Sequence, residues 1–179
     1  ANSSWTRGHV DDLWNLSSDR AETIYPPCGE EFNVIDLNAK RENIVVSFAQ
    51  FRPEKEHLKQ LEIWKQVLDD SSVPEDSTLV MIGTCREGVE SDEKIVRDIE
   101  ARAKELGIYN RIRIEKNKPR DRVIELFSSA KAAIHTMRHE HFGIAIVELM
   151  TSGIITVAHK SAGPEQDIIG ASPAPAGYP

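Results

Sequence analysis

At 179 residues, 40% hydrophobic and 28% charged, the chain has the length and composition of about one globular domain, which excludes a disordered, collagenous or coiled-coil protein. Lys and Arg number 22 against 29 Asp and Glu, a net charge of −7, and this excludes wholesale binding to a phosphate backbone, which needs a basic surface.

The charge is uneven. Residues 69–100 hold ten acids and three bases, whereas residues 111–122 hold six bases and two acids, so a local anion site is possible but no nucleic-acid partner is expected. No apolar run approaches the roughly 18 residues a membrane helix needs, and no membrane span is expected in this soluble piece. The start, Ala1-Asn2-Ser3-Ser4-Trp5, has neither a basic nor an apolar leader segment and no initiator Met, so the sequence is expected to be a fragment of a longer chain. Cys28 and Cys85 lack partners at zinc spacing and read as reduced thiols.

In chain order, residues 3–14 read as a short helix and Tyr25-Pro26-Pro27 forces an extended connector. Residues 1–42 are therefore expected to be the end of a preceding domain and its connector. From residue 43, short β-branched runs alternate with amphipathic segments, the pattern of βαβ units. Strands are expected at 43–48, 78–82, 111–115, 132–135 and 154–158. The first helix should open at Pro53 with Leu58, Leu61, Trp64 or Lys65, and Leu68 inward. The second should be capped by Ser91, with Ile95, Ile99, Arg102-Ala103 and Leu106 on its inward face and Gly107 closing it. Pro119 should open a third with Val123, Phe127 and Ala130 inward, and residues 142–152 should form a fourth. Residues 43–170 are thus expected to be an α/β domain with an open, Rossmann-like parallel sheet. Residues 171–179, with three prolines and three alanines, are expected to be a truncated tail.

Ligands of open α/β sheets bind beyond the carboxyl ends of the strands, so the loops after residues 48, 83, 115, 136 and 158 are the ones to search. After the first strand, Arg52 and Lys55 place two cations at an expected helix N-terminus, where cations are ordinarily disfavoured. A diphosphate would fit there; the bland alternative is a solvated helix start. After the fourth strand, Glu140 and Glu148 stand eight residues apart, one in a loop and one in the following helix. Carboxylates suit sugar hydroxyls, since each oxygen accepts from a vicinal diol. Gly143 lets a phosphate approach the backbone with no Cβ in the way. Glu148 lies among Ile146, Val147, Leu149 and Met150, and acids are rarely buried without a partner. His135, His139 and His141 with Glu140 could be read as a metal site, but their spacing crosses a strand end and a loop instead of one helix face, so no metal is expected. GxSxG, GxGxxG and GK(S/T) are all absent, against a serine hydrolase, a nicotinamide domain and a Walker ATPase.

The segments Gln50-Phe51-Arg52-Pro53-Glu54-Lys55, Ile82-Gly83-Thr84-Cys85-Arg86, His135-Thr136-Met137, His139-Glu140-His141-Phe142-Gly143-Ile144 and Gly163-Pro164 together resemble glycosyltransferase family 4, with Glu140 and Glu148 as its E-x(7)-E pair. Ser3-Ser4-Trp5-Thr6 and Tyr25-Pro26-Pro27-Cys28 narrow the resemblance to a eukaryotic subgroup. Those enzymes transfer mannose from GDP-mannose, in α-1,2 linkage, to a dolichol-linked oligosaccharide during N-glycan precursor assembly. The resemblance implies the C-terminal, donor-binding half of a GT-B fold and a retaining transfer with no metal or other cofactor. It implies that Arg52 and Lys55 contact the diphosphate, and that Glu140 and the backbone of Phe142, Gly143 and Ile144 meet the sugar and its phosphate. Glu148 would hold the ribose, Gly83 would line the donor site, and the loop of Lys116, Asn117 and Lys118 would edge the guanine. The lipid-linked acceptor would bind a missing N-terminal domain, the full-length protein would work at the cytosolic face of the endoplasmic reticulum, and the fragment alone would be inactive. Three positions depart from the family pattern: Ala162 for glycine, Glu56 for Asn or Gly, and Arg138 for a neutral residue. The rivals are an epimerase of GT-B type and a non-catalytic Rossmann-like module. The presence together of Arg52, Lys55, Glu140 and Glu148 speaks against the module.

Overall fold

Successive side chains of a strand face opposite ways, and in the second strand Leu79, Val80, Met81 and Ile82 are all buried, so both of its faces are apolar, as a sheet covered on two sides requires. The computed structural model describes residues 1–16 and 20–170; the expected tail at 171–179 lies outside the described residues. Five strands, β1 (Glu42–Phe48), β2 (Thr78–Gly83), β3 (Ile112–Lys116), β4 (Ala130–His135) and β5 (Ile155–Ala158), form one all-parallel sheet in the order β3-β2-β1-β4-β5. The connecting helices are α2 (His57–Leu68), α3 (Glu90–Glu105), α4 (Arg120–Ser129) and α5 (Ile144–Thr151), preceded by α1 (Ser4–Trp14). Leu79 and Met81 of β2 pack with Leu61 and Trp64 of α2 and Val96 and Ile99 of α3. The alternate residues, Val80 and Ile82, pack with Phe127 of α4 and Leu149 of α5. Truncating fully buried Phe127 to alanine would cost about 3–5 kcal/mol.

The expected strands are all present, with ends moved by one or two residues. The helix starts differ more. Pro53 opens a separate 3₁₀ turn, Pro53–Lys55, and Glu56, at φ 52°, breaks the chain before α2 begins at His57. The inward face of α2 is consequently His57, Gln60, Leu61 and Trp64, while Leu58 is exposed. Ser91 lies inside α3 and caps nothing; Asp92 is the buried acid of that helix start, taking two 2.8 Å bonds from Arg86 that hold its carboxyl well below the usual range. Gly107, at φ 69°, follows α3 as expected.

α1 is capped by Ser3, whose Oγ accepts from the Thr6 N–H at 3.0 Å. The Ser4 N–H donates to both carboxylate oxygens of Asp167, on the π-helical segment Pro164–Ile169. Phe32 and Ile35 enter the core beside Val46 and Leu149. Among the described residues no helix is long and apolar enough to cross a membrane.

Candidate functional site

The strand order reverses between β1 and β4, which opens a crevice at the carboxyl edge of the sheet. A cleft of about 490 Å³ lies there, lined by the ends of β1, β2 and β4, the loop after β3 and the starts of α4 and α5. Its floor is a close approach of two loops. A Cβ on Gly83 would fall 1.7 Å from the Ala49 carbonyl oxygen, so glycine is needed here for backbone contact. The Asn117 N–H donates to the Gly83 carbonyl, and the Asn117 amide grips the backbone of Cys85 with two bonds of 2.8 Å. Lys118 lines the cleft; Lys116 lines a neighbouring one with Arg86 and Arg97.

On the β1 side, Thr136 at the end of β4 fixes the break before α2: its hydroxyl donates to the Lys55 carbonyl at 3.0 Å and accepts from Gln60 Nε2 at 3.0 Å. Lys55 is thereby turned across the cleft. Its Nζ lies 2.5 Å from Glu140 Oε2 and 3.0 Å from Met137 Sδ, and His135 Nε2 lies 3.1 Å from the same carboxylate oxygen. Burial pushes the Glu140 carboxyl up, but hydrogen bonds from His135 and Lys55 and the lysine charge outweigh it and hold the group at about 2. Behind Lys55, burial, the lysine charge and His135 bring the His57 imidazole down to about 4, and its ring stacks on Phe51 at 5.2 Å. Arg52 precedes the 3₁₀ turn and is not among the residues lining the cleft; its Nε is buried with no partner. Glu56 and Arg138, two of the departures from the family pattern, face each other at 4.0 Å, so each supplies the other's counter-charge.

The loop after β4 is pinned to the loop after β5. The Gly163 N–H donates to the Glu140 carbonyl and the His139 N–H to Ser161 Oγ, both at 3.0 Å. A Cβ on Gly163 would fall 2.3 Å from the His141 carbonyl oxygen. Ala162, the third departure, is buried at φ 52°, a conformation costing an L-residue about 1–2 kcal/mol. His139 and His141 stack against Trp5 of α1, at 6.1 and 5.3 Å. No group of three or more His, Cys, Asp or Glu among the described residues could hold a metal ion. Phe142 is buried against Tyr25. Gly143, at φ 101°, starts α5 two residues later than expected, and its carbonyl accepts from the Ile146 and Val147 N–H groups. The N–H groups of Ile144 and Ala145 precede those bonds, at the cleft wall, as an anion-binding helix start requires.

Glu148, on the second turn of α5, lines the same cleft. It is buried, and its Oε1 accepts from Arg120 Nη2 at 2.7 Å. Lys55, Glu140, Gly143, Ile144, Glu148, Gly83 and Asn117 therefore meet in one cleft, whereas Arg52, Phe142 and Lys116 flank it.

The sequence profile of the family "Glycosyl transferases group 1" matches residues 30–173. The chain belongs to the group 1 glycosyl transferases. Among curated relatives of this group 1 chain, the "GDP-Man:Man(3)GlcNAc(2)-PP-Dol alpha-1,2-mannosyltransferase" of Xenopus laevis is 40% identical and that of Homo sapiens 37%, each over 94% of the chain. The chain spans 35% of the length of either relative. Among solved structures, a glycosyltransferase from Rickettsia africae superposes with a TM-score of 0.76 at 17% identity, over 91% of this chain and 44% of that one. WaaG, a glycosyltransferase involved in lipopolysaccharide biosynthesis, gives 0.67 at 16%, over 93% and 45%. These GT-B neighbours place the group 1 chain in the same fold.

Sequence reasoning missed Arg120 and gave His135 no part in the site. Arg120 carried the signal that drew attention to Arg52 and Lys55, a cation in the first turn of a helix beyond a strand end. His135, the last residue of β4, is polar and buried where the strand pattern calls for an apolar side chain.

Proposed function

We propose that the cleft holds GDP-mannose and that the full-length protein transfers its mannose, in α-1,2 linkage and with retention, to a dolichol-linked oligosaccharide. The observation that carries this reading is the 40% identity, across nearly the whole chain, to a relative named for that activity. The geometry supports it. Lys55 and the start of α5 bring positive charge to one point, where it can stabilise the charge that builds on a departing diphosphate. Arg52 extends that charge from the flank. Glu140 and the backbone at Phe142, Gly143 and Ile144 receive the sugar and its phosphate, and Glu148 accepts from the ribose hydroxyls. Gly83 and the loop of Lys116, Asn117 and Lys118 edge the guanine. With a lysine and a helix start meeting the diphosphate, the reaction uses no metal.

Residues 1–42 are read as the end of an N-terminal domain and its connector, and residues 43–170 as the donor domain. The acceptor binds the N-terminal domain, at the cytosolic face of the endoplasmic reticulum, where a dolichol-linked substrate is embedded. The test is transfer by the purified full-length protein from GDP-mannose to a dolichol-linked oligosaccharide, with and without chelator. A product cleaved by α-1,2-mannosidase, formed equally in chelator, supports the reading. Epimerised nucleotide sugar with no acceptor product, or activity abolished by chelator, overturns the corresponding part.

A further inference from the structure

Arg120 is held from three sides. Its Nε and Nη2 both donate to Glu31 Oε1, at 2.9 and 2.8 Å, and Nη2 donates as well to Glu148 Oε1 at 2.7 Å. The guanidinium lies 4.4 Å from the centroid of the Phe32 ring, which is itself buried and stacked on Phe127 at 5.4 Å. Glu31 and Phe32 both belong to the 3₁₀ turn Glu30–Val34, outside the βαβ repeat. Gly29 leaves room for the carboxylate, since a Cβ there would fall 2.3 Å from Glu31 Oε2. A planar guanidinium seated on a ring and bound through Nε and one Nη2 hydrogen to one carboxylate has the direction of its second Nη2 hydrogen set, and that hydrogen points at Glu148.

We propose that Arg120 is a positioning residue for Glu148, and that Glu31 in turn sets Arg120, so that the connector governs how firmly the cleft grips a nucleotide ribose. The proposal rests on the placement of Glu148 at the ribose. With one lone pair of Oε1 taken by Arg120, Oε2 is the freer oxygen to accept from the diol, and the carboxylate is ordered before the ligand arrives. Without Arg120, the carboxylate stands among the apolar residues of α5 with no cation, and its side-chain torsions must be fixed at the expense of binding. Lysine cannot stand in, because one ammonium on a flexible stem lacks the fork that serves two carboxylates while lying flat on a ring.

The experiment is calorimetric titration of GDP into the full-length protein carrying Arg120→Ala, Arg120→Lys, Glu31→Gln or Glu148→Gln, and the Arg120→Ala/Glu148→Gln pair. Arg120→Ala is expected to weaken GDP about tenfold, the size of a lost hydrogen bond to a charged group, with Arg120→Lys close behind. Glu31→Gln should cost about threefold, and adding Arg120→Ala to Glu148→Gln less than about twofold more, because the two side chains act as one unit. Full additivity would place Arg120 on the ligand itself and overturn the positioning role. A normal loss in Glu148→Gln with none in Arg120→Ala would overturn it too, leaving the ribose placement standing. No loss in Glu148→Gln would remove both. Glu31→Gln, at an exposed carboxylate, carries the same cycle with Glu148→Gln if Arg120→Ala fails to fold.

Discussion

The two acids of the cleft are held by unlike means. Glu140 sits in a loop and draws both partners from inside the βαβ repeat, Lys55 from the 3₁₀ turn after β1 and His135 from the end of β4. Glu148 sits on a helix and has Arg120, which is steadied by Glu31 and Phe32 from outside that repeat. Around Glu140 the groups are buried and densely charged, so the protein has fixed the field there before a ligand enters. Around Glu148 the cation is 40% exposed, and such pairs contribute orientation more than stability. Under the proposed function the first region acts on changing charge and the second holds a part of the ligand that does not change.

Four changes sharpen or break that contrast. The largest effect belongs to Lys55→Ala, which should lower kcat about 10²–10³-fold while the donor KM moves little, as removal of a preorganised charge does. An unchanged kcat with a raised KM would move Lys55 into the same class as Glu148. The second is acid stability. His57, held at about 4 by burial and by the charge of Lys55, stays neutral while the unfolded imidazole protonates below its ordinary 6.5. The unfolded state therefore binds more protons as pH falls from 6.5 to about 4, and stability should drop by roughly 2 kcal/mol between pH 7.5 and pH 5. Denaturant titration at the two pH values should show that drop, and His57→Gln should flatten it. An equally steep slope in His57→Gln would locate the acid sensitivity elsewhere. Glu140 adds nothing in that range, because its folded carboxyl titrates near 2 and the stability it contributes above its ordinary 4.5 is lost only below that.

Third, Glu148→Gln should raise the donor KM and weaken GDP about tenfold each while sparing kcat at saturation, since ribose hydroxyls keep their charge through the reaction. A fall in saturated turnover by orders of magnitude at constant KM would put Glu148 at the reacting sugar. The smallest effect is Ala162→Gly. Relief of the left-handed strain, partly offset by the greater freedom of unfolded glycine, should stabilise the fold by about 0.5–1 kcal/mol in thermal unfolding. Destabilisation would mean that the buried methyl group of Ala162 packs to more advantage than its backbone costs.

Much of this was legible in the sequence, and what was not has physical reasons. Parallel strands buried on both faces announce themselves as short β-branched runs, and Glu140 and Glu148 stood out by their spacing, by the apolar neighbours of Glu148 and by the family resemblance. The start of α2 was misplaced because Pro53 is equally at home in a 3₁₀ turn, and the break depends on Thr136, which is distant in sequence and bonds the Lys55 carbonyl. Leu58 keeps the helical period with Leu61 but stands at the edge of the inward face, whose centre is taken by His57, Gln60, Leu61 and Trp64, the first two burying apolar bulk around polar atoms. Gly83 carried a signal that pointed to the site, but the demand on it comes from the Ala49 carbonyl. The pairing of Arg120 was hidden because its two carboxylates lie 89 and 28 residues away, and periodicity holds no record of such pairs.

Everything proposed for the cleft depends on its being a guanosine-diphosphate site. Calorimetric titration of the full-length protein with GDP, GDP-mannose, UDP and UDP-N-acetylglucosamine, in chelator, addresses that directly. Binding of GDP and GDP-mannose with much weaker uridine nucleotides is the expected result, and tighter binding of UDP than of GDP would contradict it.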